Sequence, residues 1–285
     1  MKKAPKKVAA KAPKKPSTKK SADLVARLIA SPDDATRGVY ADWLMEQGDP
    51  LGEYMTLELA GKTAAAKKLF KQHAAAFVGD LAPRMFDWEK GLIDGIRLPQ
   101  GGKPAMLIDV LDRAFALPTA ILVRKVRVAS RPDDALVARL NQMPPTVVTL
   151  FAYATDALAA LARPQLEHLE LWIPDAKLDA NALCPVFAAT KLPGLRALSI
   201  YGGGMPTPVL TALLDSELLR RLESLDIAYG TLDVNQKKLV QKSTAKLGHL
   251  KALSIDDIDG LMPALRTAWE ARDRTATFGN PLAGR

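Results

Sequence analysis

Four segments in the second half of the chain carry one apolar spacing: Leu166-x-x-Leu169-x-Leu171, Leu195-x-x-Leu198-x-Ile200, Leu222-x-x-Leu225-x-Ile227 and Leu250-x-x-Leu253-x-Ile255. Their first residues lie 29, 27 and 28 positions apart. A fixed period of this size marks an array of small supersecondary units. No single unit can close a core, so neighbours must stack. Alternating apolar positions at the end of each segment ask for a strand. The remaining residues of each period are long enough for one helix and two turns.

The period and spacing are those of leucine-rich repeats, and they predict an α/β fold: parallel strands lining the inside of an irregular solenoid, with helices outside. Strand candidates are 92–98, 120–128, 147–153, 166–172, 195–201, 222–228 and 250–256. Helix candidates lie near 104–116, 133–142, 155–162, 181–190, 206–219, 234–245 and 258–272. The first three strands match more loosely, as Ile93-x-x-Ile96-x-Leu98, Val123-x-x-Val126-x-Val128 and Val147-x-x-Leu150-x-Ala152. A typical repeat places Asn or Cys three positions past the last motif residue. Here Pro174, Gly203, Gly230 and Ile258 stand there, so the asparagine ladder is missing and the curvature should be uneven.

The motif leucines point into the core, so the side chains between them face the concave side. From the first strand to the last these are Gly95 and Arg97; Lys125 and Arg127; Thr149, Phe151 and Tyr153; His168, Glu170 and Trp172; Ala197, Ser199 and Tyr201; Ser224, Asp226 and Ala228; Ala252, Ser254 and Asp256. The face starts basic, turns aromatic and ends acidic. Aromatic anchors among polar groups are the composition of protein-binding hot spots. The residues expected to bind a protein partner are therefore Phe151, Tyr153, Trp172, Tyr201, Arg97, Lys125, Arg127, Asp226 and Asp256.

The net charge of +9 is not a property of this array. Lys2, Lys3, Lys6, Lys7, Lys11, Lys14, Lys15, Lys19 and Lys20 all fall in residues 1–20, which contain no acid. Taking those nine from the 40 basic side chains leaves 31, against 31 acidic ones. The Lys/Ala/Pro composition predicts a disordered tail. Lysines without arginine or aromatics suit phosphate contact and cannot read bases, so non-specific, salt-sensitive DNA or RNA binding is the second expectation. The one cysteine, Cys184, cannot form an intrachain disulfide. No apolar run reaches the ~18 residues of a membrane helix, and no apolar segment follows the first lysines as a secretory signal needs. The expectation is a cytoplasmic monomer without membrane attachment.

Residues 21–87 read as a small helical domain, ahead of the array over 88–285. Leu24, Val25, Leu28 and Ile29 form one helical face. Ser31-Pro32-Asp33-Asp34 reads as a start signal, with Ser31 the cap and Val39, Tyr40, Trp43 and Leu44 the buried stripe behind it. Two further helices are expected over 51–59, burying Tyr54, Met55 and Leu57, and over 63–78, burying Leu69, Phe70, Ala76 and Phe77. The run from Tyr40 to Glu53, Tyr-Ala-Asp-Trp-Leu-Met-Glu-Gln-Gly-Asp-Pro-Leu-Gly-Glu, resembles the signature of the bacterial repeat-companion domain, Tyr-Ala-Asp-Trp-Leu-Glu-Glu-x-Gly-Asp-Pro-x-Gly-Glu. The likeness covers residues 21–98, with Met45 replacing an acid and the lysine tail lying outside the pattern. It implies a helical domain preceding leucine-rich-like repeats, and no common activity.

Nothing in the sequence asks for catalysis. Asp42 and Glu53 sit at helix positions where carboxylates cap or pair. Gly61-Lys62-Thr63 lacks the upstream glycine and strand of a phosphate loop. Gly202-Gly203-Gly204 suits a turn better than an anion nest. His73, His168 and His249 are scattered, with no zinc-ligand spacing, and Cys184 lies among apolar neighbours as an inert thiol. The expected function is non-catalytic protein binding, without cofactor or metal.

Overall fold

The structure is a computed structural model that describes residues 18–173, 184–187, 191–202, 205–228 and 232–255. The chain divides into two compact units. One comprises Met1–Asp80, Trp88–Leu92 and Leu117–Leu122, and the other Leu81–Asp87, Ile93–Ala116 and Val123–Arg285.

The first unit holds four helices, α1 (Thr18–Ala30), α2 (Asp34–Glu46), α3 (Pro50–Leu59) and α4 (Thr63–Val78). Leu28 is the buried residue of α1; Ile29, expected beside it, is exposed. Helix α2 starts after Asp33, not Ser31. The Asp33 carboxylate accepts from the Thr36 N–H at 2.7 Å and from the Ser31 hydroxyl at 2.6 Å, and these hydrogen bonds hold its pKa below the usual carboxylate value, Ser31 most of all. The buried face of α2 is Arg37, Tyr40, Ala41 and Leu44, while Val39 faces solvent. Arg37 takes the place expected for an apolar residue because its guanidinium is satisfied by the carbonyls of Pro32 and Glu89, each at 2.9 Å. In α4, Ala66, Leu69, Phe77 and Val78 are buried and Ala76 is not.

The turn between α2 and α3 explains its own sequence. Gly48 adopts φ +73°, a left-handed conformation that favours glycine. Asp49 caps α3 by accepting from Leu51 N–H at 2.9 Å, with Pro50 at the first helical position. Gly52 lets the two helices touch: a Cβ there would lie 2.5 Å from the Ala41 carbonyl oxygen. Trp88 belongs to this unit because its indole lies against Phe70 (5.2 Å) and Tyr54 (6.0 Å).

Among the described residues, eight strands form one open, mostly parallel sheet in sequential order. They are β1 (Phe86–Glu89), β2 (Leu92–Leu98), β3 (Lys125–Val128), β4 (Thr149–Tyr153), β5 (His168–Ile173), β6 (Ala197–Gly202), β7 (Ser224–Ala228) and β8 (Ala252–Ile255). Strand β1 was not expected. It reaches β2 through Lys90-Gly91, both at positive φ, the two-residue connection of a hairpin. Between strands lie α5 (Pro104–Phe115), α6 (Asp134–Asn141), α7 (Thr207–Asp215), α8 (Glu217–Arg221), α9 (Val234–Lys242) and α10 (Thr244–Leu247). The expected helix over 206–219 is two helices, because Ser216 ends α7 and caps α8. The expected helix at 155–162 is a 3-10 turn, Asp156–Ala160. Only 19 residues separate Thr149 from its partner His168, against 29 from His168 to Ala197, which is too short for an α-helix with two turns. Of the helix expected at 181–190, Cys184–Phe187 forms a 3-10 turn; the remainder, and the helix expected at 258–272, lie outside the described residues, as do Pro174, Gly203, Gly230 and Ile258.

The register aligns the repeats as the apolar spacing requires. Leu150, Leu169, Leu198, Leu225 and Leu253 pair across the sheet, as do Ala152, Leu171, Ile200, Ile227 and Ile255. All but the half-buried Ile255 lie in the core. Strand β2 begins where expected and β3 five residues later, while β4 to β8 each begin two residues later than expected, for a reason repeated along the chain. The first motif residue is held in a turn: the N–H of Val147, Leu166, Leu195, Leu222 and Leu250 donates to the carbonyl three residues earlier. The next two N–H groups converge on one carbonyl of the preceding repeat. Arg124 thus accepts from 148 and 149, Val148 from 167 and 168, Glu167 from 196 and 197, Arg196 from 223 and 224, and Glu223 from 251 and 252.

Candidate partner-binding face

The register arranges the opposite side of the sheet in rows. The first runs through Gly95, Lys125, Thr149, His168, Ala197, Ser224 and Ala252. The second runs through Arg97, Arg127, Phe151, Glu170, Ser199, Asp226 and Ser254. The third holds Tyr153, Trp172, Tyr201 and Ala228. Asp256 lies outside the described residues, and so do Lys2, Lys3, Lys6, Lys7, Lys11, Lys14 and Lys15. Lys19 and Lys20 fall in the first turn of α1.

At the basic end, Arg97, Lys125 and Arg127 are exposed. Arg97 pairs with Asp87, Nε to Oδ2 at 3.1 Å, and Lys125 with Asp94 at 3.0 Å. The Arg127 guanidinium lies 4.2 Å above the Phe151 ring centre, a cation–π contact. Phe151 is thereby only 5% exposed. It was expected as an exposed anchor; it is a buried support, edge-on to Tyr153 at 6.0 Å. The half-buried surface aromatics are Tyr153, Trp172 and Tyr201, with Tyr153 and Trp172 stacked at 6.3 Å and 29°.

Asp226, also expected at the surface, is 9% exposed, and Ser199 is buried beside it. They belong to a hydrogen-bonded chain that spacing alone did not reveal. The Ser199 hydroxyl lies 3.0 Å from His168 Nε2. The Tyr201 hydroxyl bonds both Ser199 and Asp226. Burial, above all, pushes the Tyr201 phenol up to about 12; the Ser199 bond favours the phenolate and the Asp226 bond opposes it. A group that favours the phenolate donates to it, and a carboxylate that opposes it accepts from it. The neutral Tyr201 phenol therefore donates to the Asp226 carboxylate, and the donor and acceptor roles of His168 Nε2 and the Ser199 hydroxyl follow the imidazole tautomer. The chain crosses three strands and holds each member in one orientation.

Ser199, His168 and Glu170 superficially resemble a nucleophile, base and carboxylate. The geometry argues against that chemistry. Ser199 is buried and is shared between His168 Nε2 and the Tyr201 hydroxyl, whereas a nucleophile needs an accessible hydroxyl committed to its base. His168 Nδ1 is 4.0 Å from Glu170 Oε1, beyond hydrogen-bond reach. Ser199 lies mid-strand between β5 and β7, so the neighbouring N–H groups are committed to the ladder and do not form an oxyanion hole.

His249 Nε2 bonds the Leu219 carbonyl at 2.8 Å, and Cys184 is half-buried. Among the described residues, no group of three or more His, Cys, Asp or Glu could hold a metal ion, and no helix is long and apolar enough to cross a membrane. No family model matches the chain, and no curated protein matches it. Among solved structures it is similar to a crystal structure of a Bacteroides fragilis protein, at 16% identity over 74% of this chain and 81% of that one, with a TM-score of 0.42.

Proposed function

We propose that this protein is a non-catalytic protein–protein interaction module. Its binding surface is the exposed sheet face, the concave side of an irregular leucine-rich-repeat-like solenoid. The observation that carries this reading is the row Tyr153, Trp172 and Tyr201: three half-buried aromatics on adjacent strands, bordered by charged and polar side chains. Large aromatics held rigid beside polar groups are favoured anchors, because they lose little conformational freedom on binding. The run from Tyr40 to Glu53 supports reading residues 21–98 as a repeat-companion domain ahead of the array. The single cysteine suits a reducing cytoplasm.

The test is affinity capture from a lysate of the source organism, comparing full-length protein with the W172A/Y201A double variant, and circular dichroism to verify folding. The expected result is a retained protein lost with the variant. Equal retention by a folded variant removes this face from the function.

A second reading rests on a separate observation, the nine lysines of residues 1–20 ahead of a formally neutral remainder. In it the tail tethers the protein to DNA or RNA through phosphates. Binding to random duplex DNA should then fall steeply with salt and vanish on deletion of residues 1–20. Equal binding without the tail would point to Arg97, Lys125 and Arg127 instead.

A further inference from the structure

We infer that the solvent face of α4 is a second phosphate-binding surface, with Lys67, Lys68 and Lys71 laid against the backbone of a nucleic acid. This extends the nucleic-acid reading above from residues 1–20 to a folded element of the same compact unit.

The core-facing residues of α4 are Ala66, Leu69, Phe77 and Val78. At 3.6 residues per turn, Lys67, Lys68 and Lys71 fall on the other side, and all three are exposed. Lys62, at the N-cap, is exposed as well. The sequence has no acid between Glu58 and Asp80. Among the described residues, none of these four lysines has a carboxylate partner. Three exposed lysines of the sheet unit show the ordinary arrangement instead: Lys125 faces Asp94, Lys246 faces Asp215 and Lys251 faces Glu223.

An exposed helix gains stability when an acid stands three or four residues from a lysine, and loses it when a like charge stands there. Lys67 and Lys71 are four apart, Lys68 and Lys71 three apart. The helix thus carries a repulsion that a polyanion would relieve. The exposed neighbours Ala64, Ala65 and Ala75 are small, so a phosphate backbone can come close to the ammonium groups. Lysines without arginine act as point charges that follow phosphates and do not read bases. A protein partner is the poorer fit, because lysine is depleted at protein interfaces and this face offers no aromatic anchor. A bilayer is poorer still, because the face holds no large apolar side chain to insert.

The test is anisotropy of a labelled random-sequence DNA duplex, and of its RNA counterpart, with full-length protein across a salt series. K67Q/K68Q/K71Q removes three charges and keeps good helix formers. Its plot of log affinity against log salt should be shallower than wild type by about 2 to 3, and K67R/K68R/K71R should keep the wild-type slope. The glutamine variant should melt no lower than wild type, because the like-charge pairs are gone. A large drop in its melting temperature would show that the lysines serve the fold and would overturn the inference. A full-length variant with the nine tail lysines changed to glutamine separates the two surfaces. Residual binding by it that disappears when the α4 changes are added supports the α4 surface. Wild-type slope in the folded glutamine variant, with binding lost only in the tail variant, would overturn the α4 surface and leave the tail reading. Absence of DNA and RNA binding by the wild type would overturn both. Binding of phosphatidylserine vesicles or polyglutamate that the α4 changes abolish, with duplex binding untouched, would assign the face to lipid or to an acidic protein instead.

Discussion

Arg163 shows how one residue can keep the pattern of a repeat and change its chemistry. It stands three positions before Leu166, where the next repeats have Leu192, Leu219 and Leu247, and all four are buried. Arg163 is only 1% exposed. Its terminal nitrogens donate to the carbonyls of Leu140, Asn141, Met143, Pro144 and Val147 at 2.9–3.3 Å. Burial lowers its pKa from the usual arginine value, yet the guanidinium is held by acceptors on one loop of the preceding repeat. Here a buried cation fastens the segment 140–147 to the next repeat. R163L restores the leucine of the neighbouring repeats and should nevertheless destabilise by about 3 kcal/mol in urea unfolding, because several buried carbonyls lose donors. R163K should recover little, since one ammonium cannot span the set. At the other face, Y201F removes the middle of the chain between Ser199 and Asp226 and should cost about 1–2 kcal/mol by the same measurement.

Elements in this protein are joined by a device used again and again: a turn delivers the first motif residue to the core, then one carbonyl of the previous repeat accepts two N–H groups and starts the strand. Each strand is thus positioned by its predecessor in the sheet. Helix packing in the first unit relies on something less tolerant. Gly52 brings backbone to backbone, and a methyl group there meets the Ala41 carbonyl at 2.5 Å and the Met45 nitrogen at 2.7 Å. G52A should lower stability by about 3 kcal/mol, read as a drop in thermal midpoint, since neither contacted atom is a flexible side chain. G38A in the preceding helix has no such neighbour within 4 Å and should be neutral to stabilising, given the better helix propensity of alanine.

The whole molecule should respond to alkali through its buried phenols. Burial, the largest cause in each, pushes Tyr40, Tyr54 and Tyr201 up to about 12, with nearby carboxylates adding to it. In the unfolded chain tyrosine ionises near 10. A raised folded pKa favours the protonated state, so this stability is complete below pH 10 and is lost as pH rises toward 12. Ultraviolet titration of the folded protein should show these three tyrosines still protonated at pH 11, and unfolding monitored by circular dichroism should set in between pH 10 and 12. Full tyrosine ionisation with a native spectrum at pH 11 would contradict the burial of these rings.

What the sequence determined by itself is the local pattern repeated along the chain. Alternation within a strand follows from backbone geometry, so the apolar spacing marked strands β2 to β8 and which of their side chains share a face, but it carried no signal for β1 and left the register over 88–160 open. Tyr153, Trp172 and Tyr201 were legible as one row for that reason. What only the tertiary structure decided is what covers or bonds each residue once neighbours arrive. Arg127 lies over Phe151 and removes it from the surface. His168, Ser199, Tyr201 and Asp226 come from three repeats and form one chain only when the register brings them together. Arg163 enters the core because five carbonyls await it there. Periodicity reports the direction a side chain takes. Burial, hydrogen bonding and charge depend on partners about one repeat away in sequence, and those partners become neighbours only through folding.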